Sequence, residues 1–232
     1  MNETPVQEFI ATKRSPSPTS YDVAWSVFQT ASSEMDAFAP SPPDLRGETA
    51  GSSIQLARRV LVLGSSGSGK THLSARLGAI LGLDVVHLDD HFWQPGFSPR
   101  EDEEWRNMLA KMVERDSWII DGTYERTLDL RIPHADAIIL LECHRLRCLE
   151  RVLRRQWIGW MQSRRSALLG VSTPFDLNLI RYVWHYPTVT RPVVVANIQR
   201  YGRGKPVVVI DGPESVAPFL SSLRASPSAA AA

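Results

Sequence analysis

The sequence predicts an α/β domain of three layers, with a parallel five-stranded sheet between helices, on three observations. From residue 58 onward, short apolar runs alternate with amphipathic stretches, which is the pattern of buried strands joined by crossover helices. The segment Gly64-Ser65-Ser66-Gly67-Ser68-Gly69-Lys70-Thr71 matches the phosphate-loop pattern G-x-x-x-x-G-K-[ST] at every required position. The chain of 232 residues is long enough for one such domain with a full core and some further length.

The further length is at the front. Residues 1 to 53 hold Pro5, Pro16, Pro18, Pro40, Pro42 and Pro43 among many Ser and Thr, with no sustained apolar period, and are expected to be disordered. The stretch Tyr21 to Phe28, with Val23, Trp25 and Val27 alternating, is the exception and a candidate docking segment. The domain is expected over 54–225, followed by a frayed tail from Ser226 to Ala232.

Within the domain, Val60-Leu61-Val62-Leu63 reads as a strand buried on both faces. After the loop, Leu73, Leu77, Ile80 and Leu81 recur at helical spacing. Further strands are expected at 85–88, 117–120, 137–141 and 206–210. Ser98 as cap, Pro99 in the first position and Glu101 three residues past the cap predict a capping box, before a helix bearing Trp105, Leu109, Met112 and Val113. A helix over 144–160 is marked by an apolar stripe of Leu146, Leu149, Leu153, Trp157 and Trp160. Thr173-Pro174-Phe175-Asp176 opens another that ends before Pro187; a helix from 192 to Gly202 and one over 216–223 complete the domain.

Chemistry begins at the loop. Its glycines let successive N–H groups turn toward phosphates, Lys70 reaches the β and γ phosphates, and Thr71 offers a hydroxyl to Mg²⁺, so ATP is the expected ligand of Gly64 through Thr71 and the adjoining His72. Ser117-Trp118-Ile119-Ile120-Asp121-Gly122 is an apolar strand ending in a carboxylate, and Asp121 is the candidate second metal anchor, weighed against a plain Asp-Gly turn. Asp89 follows the second strand, where it can orient or deprotonate an attacking hydroxyl, while Phe92 and Trp93 either wall an acceptor pocket or pack in the core. Arg126 and Arg131 are further acceptor candidates. His87 and His91 find no third strong metal ligand at suitable spacing, so a zinc site is rejected. Arg145, Arg147, Arg151, Arg154 and Arg155, then Arg164 and Arg165, make a strongly positive helix of which one or two members are expected on phosphate.

Charge is uneven. Residues 1 to 53 carry three basic and seven acidic side chains, leaving 23 basic and 18 acidic in the remainder. That mildly basic domain suits phosphate ligands and falls short of a dedicated nucleic-acid binder. No stretch reaches the roughly 20 apolar residues of a membrane span and the start lacks a signal-peptide core, so the cytoplasm is the default address. Cys143 and Cys148 sit outside any metal or redox spacing and are expected as reduced thiols.

Together, Gly64 to Thr71, the segment from His87 to Phe97, Trp118 to Tyr124 and Ala135 to Leu141 resemble the DNA topology modulation protein family, whose members are often described as adenylate-kinase-related. Arg181 to Pro187 and Arg191-Pro192 are also similar, and the likeness spans 58–223. It implies a P-loop NTPase fold of the nucleoside and shikimate kinase type, with sheet order 2-3-1-4-5 and a helical lid. It further implies phosphate and Mg²⁺ positions at Lys70, Thr71 and Asp121, lid arginines at Arg151 and Arg155, and adenine recognition by Asp211-Gly212-Pro213. Gly122-Thr-Tyr-Glu-Arg126 stands where adenylate kinases carry Gly-Phe-Pro-Arg, which speaks against AMP as acceptor. Two functions follow: a small-molecule kinase, and an ATP-dependent regulatory or DNA-associated switch, for which the sequence offers no recognisable helix-turn-helix, zinc finger or arginine-rich tail.

Overall fold

The computed structural model describes residues 50–94, 98–165 and 176–225. The front of the chain with Tyr21 to Phe28, the residues Thr173 to Phe175 of the expected helix start, the side chains of Arg164 and Arg165, and the tail from Ser226 lie outside the described residues. The elements are α1 (Ala50–Leu56), β1 (Arg59–Gly64), α2 (Lys70–Leu81), β2 (Val85–His87), α3 (Leu88–Phe92), β3 (Trp93–Gln94), β4 (Ser98–Pro99), α4 (Asp102–Val113) and β5 (Trp118–Asp121). They continue with α5 (Leu128–His134), β6 (Ala137–Glu142), α6 (Arg145–Arg165), α7 (Leu177–His185), α8 (Thr190–Tyr201), β7 (Val207–Asp211) and α9 (Val216–Ala225).

The main sheet runs β2-β5-β1-β6-β7, all parallel. Counting its strands alone, this is the expected order 2-3-1-4-5. The pleat sends alternate residues of β1 to opposite faces. Leu61 and Leu63 pack with Leu109 of α4, Ile132 of α5 and Ile198 of α8. Val60 and Val62 pack with Ile54 of α1, Leu73 and Leu77 of α2, and Leu220 and Leu223 of α9. Helices therefore cover both faces, which is why the strands read as continuous apolar runs. Each fully buried Leu or Val here stabilises the fold by about 2 kcal/mol.

Several elements depart from the sequence expectation. Helix α1 begins at Ala50, inside the 1–53 stretch expected to be disordered, and carries Ile54 into the core beside Val60 and Val62. The capping box at Ser98 does not form, because Ser98 and Pro99 pair antiparallel with Gln94 and Trp93, and the Arg100 N–H donates to the Phe92 carbonyl at 3.1 Å. Hairpin pairing takes the residues that capping would need, and α4 starts three residues later behind Glu101, which makes no side-chain cap. The stripe on α6 is mostly uncovered: Leu146, Leu153 and Trp157 are exposed. The buried side of α6 runs instead through Cys148 and Val152, against Val183 of α7. The helix meets only one neighbouring helix there, so part of its apolar surface has no partner among the described residues. Finally, the second strand stops at His87 because Leu88 already opens α3.

The α6–α7 pair is tied by polar contacts. Asp176 caps α7 by accepting from the Leu179 N–H at 3.0 Å, and the Gln156 amide both donates to the Asp176 carbonyl at 3.1 Å and accepts from its N–H at 3.0 Å. The pair stands after β6, where a helical lid was expected. Among the described residues no helix is long and apolar enough to cross a membrane.

Candidate functional site

The phosphate loop joins β1 to α2 at the C-terminal edge of the sheet, where strand ends in an open parallel sheet form the ligand crevice. Gly64, Gly67 and Gly69 take φ of 146°, 79° and 108°, so the backbone has the left-handed freedom that the motif demands. Space demands glycine as well, since a Cβ on Gly64 would stand 2.4 Å from the Leu141 carbonyl oxygen and one on Gly67 2.5 Å from that of Cys148. Gly69 opens α2 without a side-chain cap, which leaves the first-turn N–H groups as an anion site. Lys70 Nζ donates to the carbonyls of Gly64 at 2.8 Å and Ser65 at 2.9 Å. Thr71 and His72 are exposed at the helix start.

Two carboxylates flank this lysine. Asp121 ends β5, aligned with Val62 of β1 on one side and His87 of β2 on the other. It is 5 % exposed, and its Oδ2 lies 2.7 Å from His87 Nδ1. Burial pushes its carboxyl above the usual carboxylate range, against the His87 hydrogen bond and the Lys70 charge. Asp89, in α3, is exposed, and its Oδ1 accepts from the Tyr124 hydroxyl at 2.6 Å. Loss of hydration lowers the Lys70 ammonium from its ordinary value, while Asp89 and Asp121 oppose the shift. The three residues thus form one electrostatic unit built from the ends of three adjacent strands.

Beside Asp89 is an aromatic group. Phe92 is buried and meets Trp93, Trp105 and Tyr124 at ring-centroid distances of 5.1, 5.2 and 4.9 Å. Phe92 is therefore core, and Trp93 and Tyr124 are half-buried against it, with the Tyr124 hydroxyl reaching Asp89. Tyr124 has φ 33°, the only positive φ outside glycine among the described residues, a costly backbone state for a bulky side chain. Arg131 supports it. Its guanidinium is fully buried and donates to the carbonyls of Gly122 at 2.7 Å and Tyr124 at 2.9 Å, and also to that of Thr123. Expected at the acceptor, Arg131 is placed inside the protein, holding the loop that carries Tyr124. Arg126 lies on the surface, 3.0 Å from Asp102.

On the other flank, α6 brings Arg151 to the phosphate loop, where Nη1 donates to the carbonyls of Gly67 and Ser68 at 3.1 Å each. Arg151, Arg154 and Arg155 line a cleft with Ile158 and Gly159. Arg147 pairs with Glu214 at 3.0 Å, just past the Asp211-Gly212-Pro213 turn that ends β7. Cys148 and Cys143 are free thiols, and burial pushes Cys148 up to about 12, which favours the thiol over the thiolate.

Two residues escaped the sequence reading. Thr123 locks the loop, accepting from the Gly64 N–H at 3.1 Å and donating to the Gly64 carbonyl at 2.6 Å. For His87 the sequence offers a metal-ligand reading alone, whereas its place at a strand end, level with Asp121, is the signal that pairs them.

No family model and no curated protein matches the chain. Among solved structures, shikimate kinase from Acinetobacter baumannii in complex with shikimate is similar at 12% identity and TM-score 0.49, over 75% of this chain and 94% of that one. A sugar kinase from Janibacter gives 17% and 0.44 over 76% and 99%, and a gluconokinase from Sinorhizobium meliloti 16% and 0.39 over 72% and 91%. The fold assignment rests on the strand order and phosphate loop of this chain.

Proposed function

We propose that the protein is a small-molecule kinase, which binds ATP with Mg²⁺ on the loop from Gly64 to His72 and transfers the γ-phosphate to a hydroxyl of a small acceptor. The observation that carries this is the lysine between two carboxylates in contrasting environments. Titratable groups in contrasting settings take separate roles. Asp121, buried and fixed by His87, suits a metal anchor, whereas Asp89, exposed and carried by Tyr124, suits work on an incoming hydroxyl. Thr71 and Asp121 supply oxygen donors, the set that Mg²⁺ takes; the ion, when bound, neutralises charge on the β- and γ-phosphates.

Lys70 exchanges the Gly64 and Ser65 carbonyls for phosphate oxygens when ATP binds. The acceptor oxygen bonds the γ-phosphorus while the bond from that phosphorus to the β,γ-bridging oxygen breaks. The electron pair leaves with ADP, and the hydroxyl proton passes to the Asp89 carboxylate. Arg151, already on the loop, and Arg155 beside it balance the charge spread over the moving group. Trp93 and Tyr124 wall the acceptor side, and Arg131 acts through Tyr124 as a positioning residue.

A screen of nucleosides, sugars, amino alcohols and hydroxy acids with radiolabelled ATP tests the proposal. Transfer to at least one acceptor is expected, falling about 10²-fold or more in Lys70→Ala. Transfer to none of them above the Lys70→Ala level would sink it.

A further inference from the structure

Lys70 is turned back onto its own loop, and the two carbonyls it holds share a feature. That of Gly64 accepts from Lys70 Nζ at 2.8 Å and also from the Thr123 hydroxyl at 2.6 Å. That of Ser65 accepts from Lys70 Nζ at 2.9 Å and also from the Ser68 N–H at 3.2 Å. Each acceptor under the lysine therefore has a second donor already in place.

The sheet explains why Thr123 is one of them. Gly64 is the last residue of β1, and on the β5 side the ladder closes two residues earlier, where the Gly122 N–H donates to the Val62 carbonyl at 3.2 Å. Backbone groups two residues apart on a strand face the same neighbour, so the N–H and carbonyl of Gly64 point to where β5 would continue. The chain turns away at Gly122, with φ 134°. The Thr123 hydroxyl, donor and acceptor at once, replaces the missing peptide unit: it accepts from the Gly64 N–H at 3.1 Å and donates to the Gly64 carbonyl. Thr123 is 5 % exposed, and Arg131 fixes its carbonyl together with those of Gly122 and Tyr124, so it stays on Gly64 when the lysine moves.

From the doubly donated Gly64 carbonyl and the clamped hydroxyl, we infer that Thr123 is a positioning residue for nucleotide binding, which keeps that carbonyl paired when Lys70 leaves it for the β- and γ-phosphates. A buried carbonyl stripped of its donor costs the desolvation of that group, and nucleotide binding would have to offset it. With Thr123 in place the lysine exchanges carbonyl oxygens for phosphate oxygens and orphans neither partner. At Ser65 the second donor is a backbone N–H that no side-chain substitution removes, so Thr123 is the side chain on which the exchange turns. Its hydroxyl is engaged by Gly64 in both directions, and it acts on the phosphates through Lys70.

This inference rests on ATP as the ligand of the loop, and the test separates it from the kinase reading. Wild type, Thr123→Val, Lys70→Met and the double variant are unfolded in denaturant without nucleotide. Each single variant leaves one of the two donors on the Gly64 carbonyl and the double variant leaves neither, so the double variant should lose about tenfold more in folding equilibrium constant than the two single losses multiplied together. Calorimetric titration with ATP and Mg²⁺ should show affinity about tenfold weaker in Thr123→Val and within about twofold of wild type in Thr123→Ser, which keeps the hydroxyl. Single losses that simply multiply, as for a threonine that only shapes the loop, overturn the inference, and so does a Thr123→Val protein that binds ATP as tightly as wild type. If Thr123→Val does not fold, Thr123→Cys, whose thiol is a weak donor, carries both measurements under the same criteria. The expected coupling and affinity loss without phosphate transfer to any acceptor would overturn the kinase reading alone, and a wild-type protein that binds no ATP would overturn both.

Discussion

Helix α6 and the segment from Asp89 to Glu104 carry opposite charge, and each brings a charged side chain to the phosphate loop: Arg151 on its carbonyls and Asp89 beside Lys70. The helix carries seven arginines and one glutamate, whereas the segment carries six acids and one arginine. The more telling difference is how the cations are employed. Arg151 touches the phosphate loop and Arg154 and Arg155 are exposed along a cleft, while Arg100, Arg106, Arg126 and Arg131 on the other flank already have carboxylate or carbonyl partners. Guanidinium groups on the second flank thus serve architecture, whereas α6 keeps Arg154 and Arg155 exposed at the cleft beside an Arg151 that holds the loop.

Arg131 gives the strongest test of that division. Arg131→Met keeps the apolar stem and removes a buried cation that satisfies three carbonyls, including that of the strained Tyr124. Leaving those acceptors unpaired costs about 3 kcal/mol, so thermal unfolding should show Tm falling by about 6–12 °C. An unchanged Tm with lost acceptor binding would return Arg131 to a binding role and break the contrast.

Arg151 tests the other flank. Arg151→Ala should weaken ATP binding about tenfold by calorimetry while lowering Tm by less than Arg131→Met does, because it leaves two carbonyls without their donor where Arg131→Met leaves three. A large Tm loss with unchanged ATP affinity would make Arg151 another architectural arginine.

The fold was legible because its strands are buried on both faces and its loop pattern is long. Elements without a sustained period were not: α5, seven residues with Pro133 inside, and α3, five residues, are shorter than the repeat that would reveal them. At the site, Lys70, Asp89 and Asp121 were readable because each ends or follows a strand. The burial of Arg131 was not, since an arginine that caps carbonyls and one that binds an anion have the same sequence signature, and Phe92 was legible only as one of two alternatives. Thr123 and the His87–Asp121 pair depend on register across strands far apart in the chain, which local pattern does not carry.

The smallest expected effect concerns the surface pair of Arg106 and Asp129. Arg106 holds the Asp129 carboxyl below the ordinary carboxylate value, chiefly through its hydrogen bond. A carboxyl depressed in the folded state stabilises above its unfolded pKa, and that contribution disappears as pH falls through the folded value. Both side chains are well exposed, at 41% and 37%, so solvent screening limits the pair to under about 1 kcal/mol. Asp129→Asn should therefore lower Tm by about 1–3 °C at pH 7, with the difference from wild type closing as acid protonates the folded carboxyl at its lowered value. A difference that persists in acid would assign the effect to packing. A loss several times larger would mean that the pair carries more of the fold than its exposure allows, and would make Arg106 as architectural as the buried Arg131.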